Sequence, residues 1–254
     1  MVMGKRSVLI TGATAGIGAA CATTLAANGY DVILTGRRES RLAALQKEIT
    51  NLYNVDCITL AFDIQDRKST LEAINSLPDT CAIDAVINNA GLALGKGPFQ
   101  ESQPEDWDIM LSTNVTGLLT VTHGILHKLK VSNHPHIINI ASIAGMESYA
   151  GGHVYCATKA AVRSLTKSLR IDLLPLGIKV SAVSPGMVET EFSEVRFKGD
   201  KELAQKVYRG FQPLVAQDVA DVVLYLLNLP KHICLNEVVM TATAQANAYH
   251  TIKD

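Results

Sequence analysis

A chain of 254 residues with a net charge of −1 has neither the basic surplus of a nucleic-acid or anionic-membrane binder nor an acidic excess. Hydrophobic residues make up 48%, charged residues 19% and aromatics 5%. That balance suits a layered α/β protein rich in small aliphatics and excludes a disulfide scaffold or a disordered chain. Five scattered cysteines, without a C-x-x-C pair, predict reduced thiols in a cytoplasmic setting and no zinc knuckle. The apolar run that begins the chain is too short for a signal peptide. No uninterrupted apolar stretch reaches the roughly eighteen residues of a membrane span.

In chain order, "SVLIT" (7–11) predicts a buried strand, followed by a glycine turn and a small-residue helix to about Asn28, capped by Gly29. "DVILT" (31–35) is the next strand, and Leu42, Leu45, Ile49 and Leu52 recur at helical spacing. Strand "CITLAF" runs to Asp63, "STLEAINSL" repeats the helical period, and "AVIN" leads into "NAG". Ser102 and Glu105 predict a capping box opening a long helix with Trp107, Met110, Leu111 and Val115. Then come strand "HIINIA", a helix over 151–174, strand "IKVSAV", helices over 200–211 and 216–228, and a last strand near "NEVVMTA". Strands apolar on both faces, alternating with helices, predict one parallel sheet covered on each side. With no repeat or linker in view, residues 1–254 read as one domain.

The turn "TGATAGIG" carries Gly12, Gly16 and Gly18 between a strand and a helix. A helix N-terminus there presents unpaired N–H groups and a partial positive charge to a pyrophosphate, and glycines let the backbone come close. About twenty residues further on, an acid usually meets the ribose 2′-hydroxyl. Here "DVILTGRRES" has Gly36 instead, followed by Arg37 and Arg38. Gly36 removes a charge and makes room, and Arg37 can grip a 2′-phosphate with two charge-assisted bonds. Arg38 could share that role, stack on adenine or stay solvated.

Tyr155 and Lys159 in "YCATK" are four apart, so a helix puts them on one face. A free tyrosine titrates near pH 10. Making it a base near neutrality needs roughly 3–4 kcal/mol in favour of the phenolate. An ammonium about 4–5 Å away in a partly dry site can supply that. His123 and His127 are also four apart, but no glutamate follows the first and no third ligand suggests itself, so no metal is expected.

With the glycine turn, "NNAG" (88–91), Asn114 in "TNVTG", Ser142 in "SIAG", "YCATK" and "SPGMVET" (184–190) in this order, the chain resembles the short-chain dehydrogenase/reductase family over its whole length. The resemblance implies a single Rossmann-type doubly wound parallel sheet with helices on both faces, and NADP as cofactor. Tyr155 would be the proton donor or acceptor, and Ser142 would hydrogen-bond the reacting oxygen. Lys159 would hold the nicotinamide ribose and depress the tyrosine pKa, and Asn114 would hold a water. The cofactor would meet Gly12, Thr14, Ala15, Gly16, Ile17 and Gly18 at the turn, and Arg37, Arg38, Asp63 and Ile64 at the adenosine end. Asn89, Ala90 and Gly91 would line its cleft, and Pro185, Gly186, Met187, Val188 and Thr190 would pass the nicotinamide.

The stretches "NAGLALG" (89–95), "YAGGHVYCATKA" (149–160) and "TEFSEVRFKGD" (190–200) look like those of NADP-dependent 3-hydroxy acid dehydrogenases, also described as serine or L-allo-threonine dehydrogenases. A small hydroxy acid, L-serine or 3-hydroxypropionate for example, needs a cation for its carboxylate. Arg196 is the expected one, with Lys198 as the other candidate, and Ser142 and Tyr155 complete the substrate contacts. The rivals are a carbonyl reductase of larger ketones or 3-oxoacyl thioesters, and a non-catalytic NADP-sensing protein. The family usually assembles as homotetramers, and the tail "TATAQANAYHTIKD" has too few large apolar residues to pack alone, which suggests an interface.

Overall fold

The computed structural model describes residues 5–78 and 81–254, so the first four residues of the N-terminal stretch lie outside it. The first half runs β1 (Ser7–Thr11), α1 (Gly16–Ala27), β2 (Asp31–Gly36), α2 (Glu39–Leu52), β3 (Cys57–Ala61), α3 (Arg67–Asn75) and β4 (Ala85–Asn88). The second half opens with α4 (Pro104–Leu111), a π-helical stretch (Ser112–Gly117) and α5 (Leu118–Leu129). It continues with β5 (His136–Ile140), α6 (His153–Asp172), β6 (Lys179–Pro185), β7 (Val188–Glu189) and α7 (Phe192–Arg196). It closes with α8 (Lys201–Tyr208), β8 (Leu214–Val215), α9 (Ala216–Asn228) and β9 (Glu237–Met240).

Seven strands form one sheet in the order β3-β2-β1-β4-β5-β6-β9, every pair parallel, and β7 pairs with β8 apart from it. Successive side chains of a strand point to opposite faces. Val8, Ile10, Val32, Leu34, Ile87 and Val183 therefore enter the layer formed with Cys21, Leu25, Leu42, Val219 and Val223. Leu9, Ile33, Val86, Ile137 and Val180 enter the other, with Ile74, Val121, Ile125 and Leu129. Both faces are buried, as continuous apolar strands require. The chain moves outward from β1 in one direction and from β4 in the other, so the crevice between them at the strands' C-terminal ends is the ligand position of such a sheet.

Two local features depart from the sequence expectation. Ser102 and Glu105 form no capping box: Pro104 takes the first helical position, and Gln103 before it is held extended. Ser102 instead donates to Phe99 O at 2.6 Å and accepts from Trp107 Nε1 at 3.1 Å. The long helix also changes pitch at Ser112–Gly117, where Gly117 leaves space for Ile64. By length and composition alone Pro104–Leu129 could cross a membrane (mean hydropathy 1.3 over its best window). Half of that window is buried inside the fold, as in the core helix of a layered protein.

His136, on β5, is 1% exposed, with Nε2 2.8 Å from Ser181 Oγ and Nδ1 without a partner among the described residues. Burial, helped by Lys179, pushes its pKa down to about 3. The unfolded chain therefore binds a proton near pH 6.5 that the folded chain refuses until about pH 3. The stability this group contributes is complete above pH 6.5 and falls by about 1.4 kcal/mol per pH unit below it. Thermal unfolding of wild type and His136→Asn over pH 4–7.5 checks this: the wild type is expected to show the steeper loss on acidification.

Candidate active site

A cavity of about 450 Å³ opens over the crevice. Its floor is the glycine turn, where Gly12 (φ +67°) and Gly16 (φ +54°) adopt left-handed backbone. The N-cap of α1 is Ala15, which offers no side-chain acceptor, so the first N–H groups of α1, at cavity-lining Gly16 and Ile17, have no side-chain cap among the described residues. Thr14, Ala15 and Ile17 lie on the wall beside Gly12 and Gly16, whereas Gly18 lies behind it. A Cβ on Gly18 would run into the Gly12 carbonyl and sit 2.6 Å from Asn89 Nδ2. Asn89 donates to Thr11 O at 2.9 Å and Gly12 O at 3.3 Å, so it braces the turn from β4.

At the adenosine end, the space over Gly36 is taken by Thr14, whose Cγ2 would be 2.8 Å from a Cβ there. The missing side chain thus makes room for a threonine rather than leaving a void. Thr14 Oγ1 then accepts from Arg38 Nε at 3.1 Å and Nη2 at 2.8 Å. Arg37 reaches Asp63 at 3.4 Å and is well exposed. Arg37, Arg38, Asp63 and Ile64 all line the cavity. Sequence reasoning missed two partners here: Glu191 accepts from Arg38 Nη1 at 2.8 Å and from Arg41 Nη1 at 2.6 Å.

The other half of the cavity gathers Ser142, Tyr155 and Lys159, all buried, with Ala90, Gly91, Pro185, Gly186, Met187, Val188 and Thr190 along the wall. Ser142 Oγ donates to Pro185 O at 3.4 Å and accepts from Ala144 N at 3.1 Å. Lys159 Nζ donates to Ile140 O at 2.8 Å and lies 6.0 Å from the Tyr155 ring centre. Burial raises the Tyr155 pKa above its ordinary range, and the nearby Tyr149 adds to this, while Ser142 and Arg196 pull it back. Burial pushes Lys159 down to about 8, so it remains mostly charged near neutrality. Asn114 is one layer back, in the π-helical stretch. It spends both amide protons on Leu92 O (2.8 Å) and Thr158 Oγ1 (3.0 Å) and accepts from Leu92 N at 2.8 Å. The amide ties the loop after β4 to α6, and one lone pair of Oδ1 is left for a water.

Arg196, on α7, is only 9% exposed and lines the cavity. It donates to Gly95 O at 3.2 Å and the Tyr149 hydroxyl at 2.8 Å, and its Cζ is 5.6 Å from the Tyr155 ring centre. Among the described residues it has no carboxylate partner. Lys198 turns away, pairs with Asp106 at 2.9 Å, and sits in left-handed backbone (φ +53°). A third unforeseen residue is Gln245. It folds back from the tail, accepts from Met187 N at 2.9 Å and packs on Gly186, so this part of the tail packs within its own chain.

The brace under the turn predicts that Gly18→Ala lowers the unfolding midpoint by several degrees, from an overpacking cost of about 1–3 kcal/mol. Gly97→Ala, whose Cβ would meet only Glu101 Oε2 at 3.9 Å, is expected to leave the midpoint unchanged. Thermal melts of the two variants check this.

Residues 6–201 match the family model described as short chain dehydrogenase. The chain is 43% identical to an NADP-dependent 3-hydroxy acid dehydrogenase of Escherichia coli, covering 95% of this chain and 96% of the relative. It is 42% identical to a sulfoacetaldehyde reductase of Chromohalobacter salexigens, over 94% and 95% of the two chains. Among solved structures it superposes on a closed form of serine dehydrogenase complexed with NADP⁺ at a TM-score of 0.90. That pair shares 42% identity over 98% of this chain and 99% of the other. With that match over both sequence and fold, the chain belongs to the short-chain dehydrogenase family.

Proposed function

We propose that this protein is an NADP-dependent oxidoreductase that interconverts small 3-hydroxy acids, such as L-serine, L-allo-threonine and 3-hydroxypropionate, with their 3-oxo acids or semialdehydes. The observation that carries the substrate class is Arg196: a guanidinium 9% exposed, without a carboxylate partner among the described residues, beside Tyr155 in the cavity. A buried, unpaired cation costs several kcal/mol, and an anionic substrate group offsets that cost. The small-acid, sulfonate-aldehyde and serine enzymes among the relatives are consistent with such a group.

The groove fits the cofactor. The uncapped N-terminus of α1 and the left-handed glycines would hold its pyrophosphate, and Arg37 and Arg38 would hold the 2′-phosphate. Bound there, the nicotinamide supplies hydride acceptance and donation. Tyr155 would take the proton from the substrate hydroxyl, or return it to the carbonyl oxygen, with Ser142 hydrogen-bonded to the same oxygen. Lys159 would position the nicotinamide ribose and favour the phenolate by its charge. Asn114 Oδ1 would hold the water that returns the proton. Ala90, Gly91 and the Pro185–Thr190 segment would shape the nicotinamide end.

The proposal includes one catalytic domain over residues 1–254, a cytoplasmic location and a homotetramer. Five cysteines without a disulfide support a reducing compartment. Exposed Leu111, Leu119, Tyr225, Val239 and Ile252 support subunit contacts.

Initial rates with NADP⁺ for 3-hydroxypropionate and for an uncharged alcohol of the same length test the reading. Arg196→Ala is expected to lower kcat/KM on the acid at least about tenfold more than on the alcohol. Equal losses would remove the carboxylate role. Tyr155→Phe is expected to lower kcat by about 10²–10⁴-fold on the acid, the range of a lost general acid–base group, while the midpoint of unfolding stays within a few degrees.

A further inference from the structure

Arg38 stands on one lip of the groove, just before α2, with Arg41 in the first turn behind it, and Glu191 stands on the other, as the residue before α7. The groove is narrow at this point: a Cβ on Gly16 would lie 3.2 Å from Thr190. Glu191 divides its carboxylate between the two arginines, one oxygen to each, at 2.8 and 2.6 Å. Thr14 anchors Arg38 from behind, so its guanidinium is held where it is while its outer face meets Glu191. The Arg38 hydrogen bond above all, with Arg41 adding to it, holds the Glu191 carboxyl below its ordinary range, and it is anionic at neutral pH.

We propose that Glu191 is a specificity-determining residue for the cofactor: an internal carboxylate that occupies a donor of Arg38, one of the two arginines read as holding a 2′-phosphate, and is itself held there by Arg41. This rests on the reading of NADP as cofactor. A 2′-phosphate carries close to two negative charges at neutral pH and seeks the same Arg38 guanidinium. It therefore binds against the repulsion of Glu191 and in exchange for some of its hydrogen bonds. A cofactor with a plain 2′-hydroxyl carries no charge there and leaves the Glu191 pairs as they are. Glu191 thus weakens binding of the phosphorylated cofactor selectively, and it keeps the arginines paired when no phosphate is present. Both ends of the Arg38–Glu191 pair are about two-fifths exposed (43% and 42%), so water and salt moderate the effect.

The experiment measures dissociation constants of NADPH and NADH, by nucleotide fluorescence, for wild type and Glu191→Gln. The amide keeps one acceptor for one arginine, and removes the charge and the acceptor that faces the other. NADPH is expected to bind the variant about three- to tenfold more tightly at low salt, the gap shrinking as the Debye length falls toward 0.5 M salt. NADH is expected to change by less than about twofold, because it has no charge at the 2′ position. Unchanged or weaker NADPH binding in the variant, an equal change for both nucleotides, or a gap indifferent to salt would overturn the proposal. A wild type that binds NADPH no better than NADH would instead overturn the cofactor reading on which the proposal rests.

Discussion

The close approach of Gly18 to the carbonyl of Gly12, under the bracing amide of Asn89, is the contact on which the site depends. It sets α1 tightly against the ends of β1 and β4, so the helix delivers its unpaired N–H groups to the one crevice where a parallel sheet leaves space. No side chain larger than hydrogen fits there without moving backbone. The absence of a side-chain cap at Ala15 belongs to the same design, since a capping hydroxyl would occupy the donors that an anion needs.

The groove has an arginine at each end, in opposite electrostatic circumstances. Arg38 is part-exposed, anchored by Thr14 and paired with Glu191. Arg196 is buried, held by carbonyls and a phenol hydroxyl, and unpaired with any carboxylate among the described residues. The first is a surface pair of modest energy that exchange can tune; the second is a desolvated charge that an anion stabilises strongly. The short helix α7 joins the two ends. Glu191 precedes it, Arg196 ends it, and just beyond, Lys198 is pinned to Asp106 of α4. Gly95 N donates to Arg196 O at 3.0 Å, so the loop after β4 holds this segment as well.

Tyr155 sits between these influences. Desolvation opposes its ionisation, and the groups that favour the phenolate come from separate elements: Ser142 after β5 and Arg196 across the cavity. The dry surroundings that make ionisation costly also make each nearby charge more effective. The tyrosine is therefore tuned by how the cavity brings together residues far apart in sequence.

The sequence by itself determined the alternation of elements, the glycine turn and the one-turn spacing of Tyr155 and Lys159. All of these rest on local periodicity, local spacing or motif order, which the chain carries without folding. It misjudged the start of α4, because a proline's missing N–H outweighed a favourable Ser–Glu spacing. Only the tertiary structure decided what the arginines touch. Arg38 and Arg41 meet Glu191 across 153 and 150 positions of sequence, and Gln245 reaches Met187 across 58. It also decided that Gly36 makes room for Thr14, and that Lys198 faces Asp106 while Arg196 faces the cavity. Such pairings depend on which strand ends lie side by side and where the backbone turns left-handed. A charge's partner is a property of three-dimensional distance, and distance along the chain does not encode it.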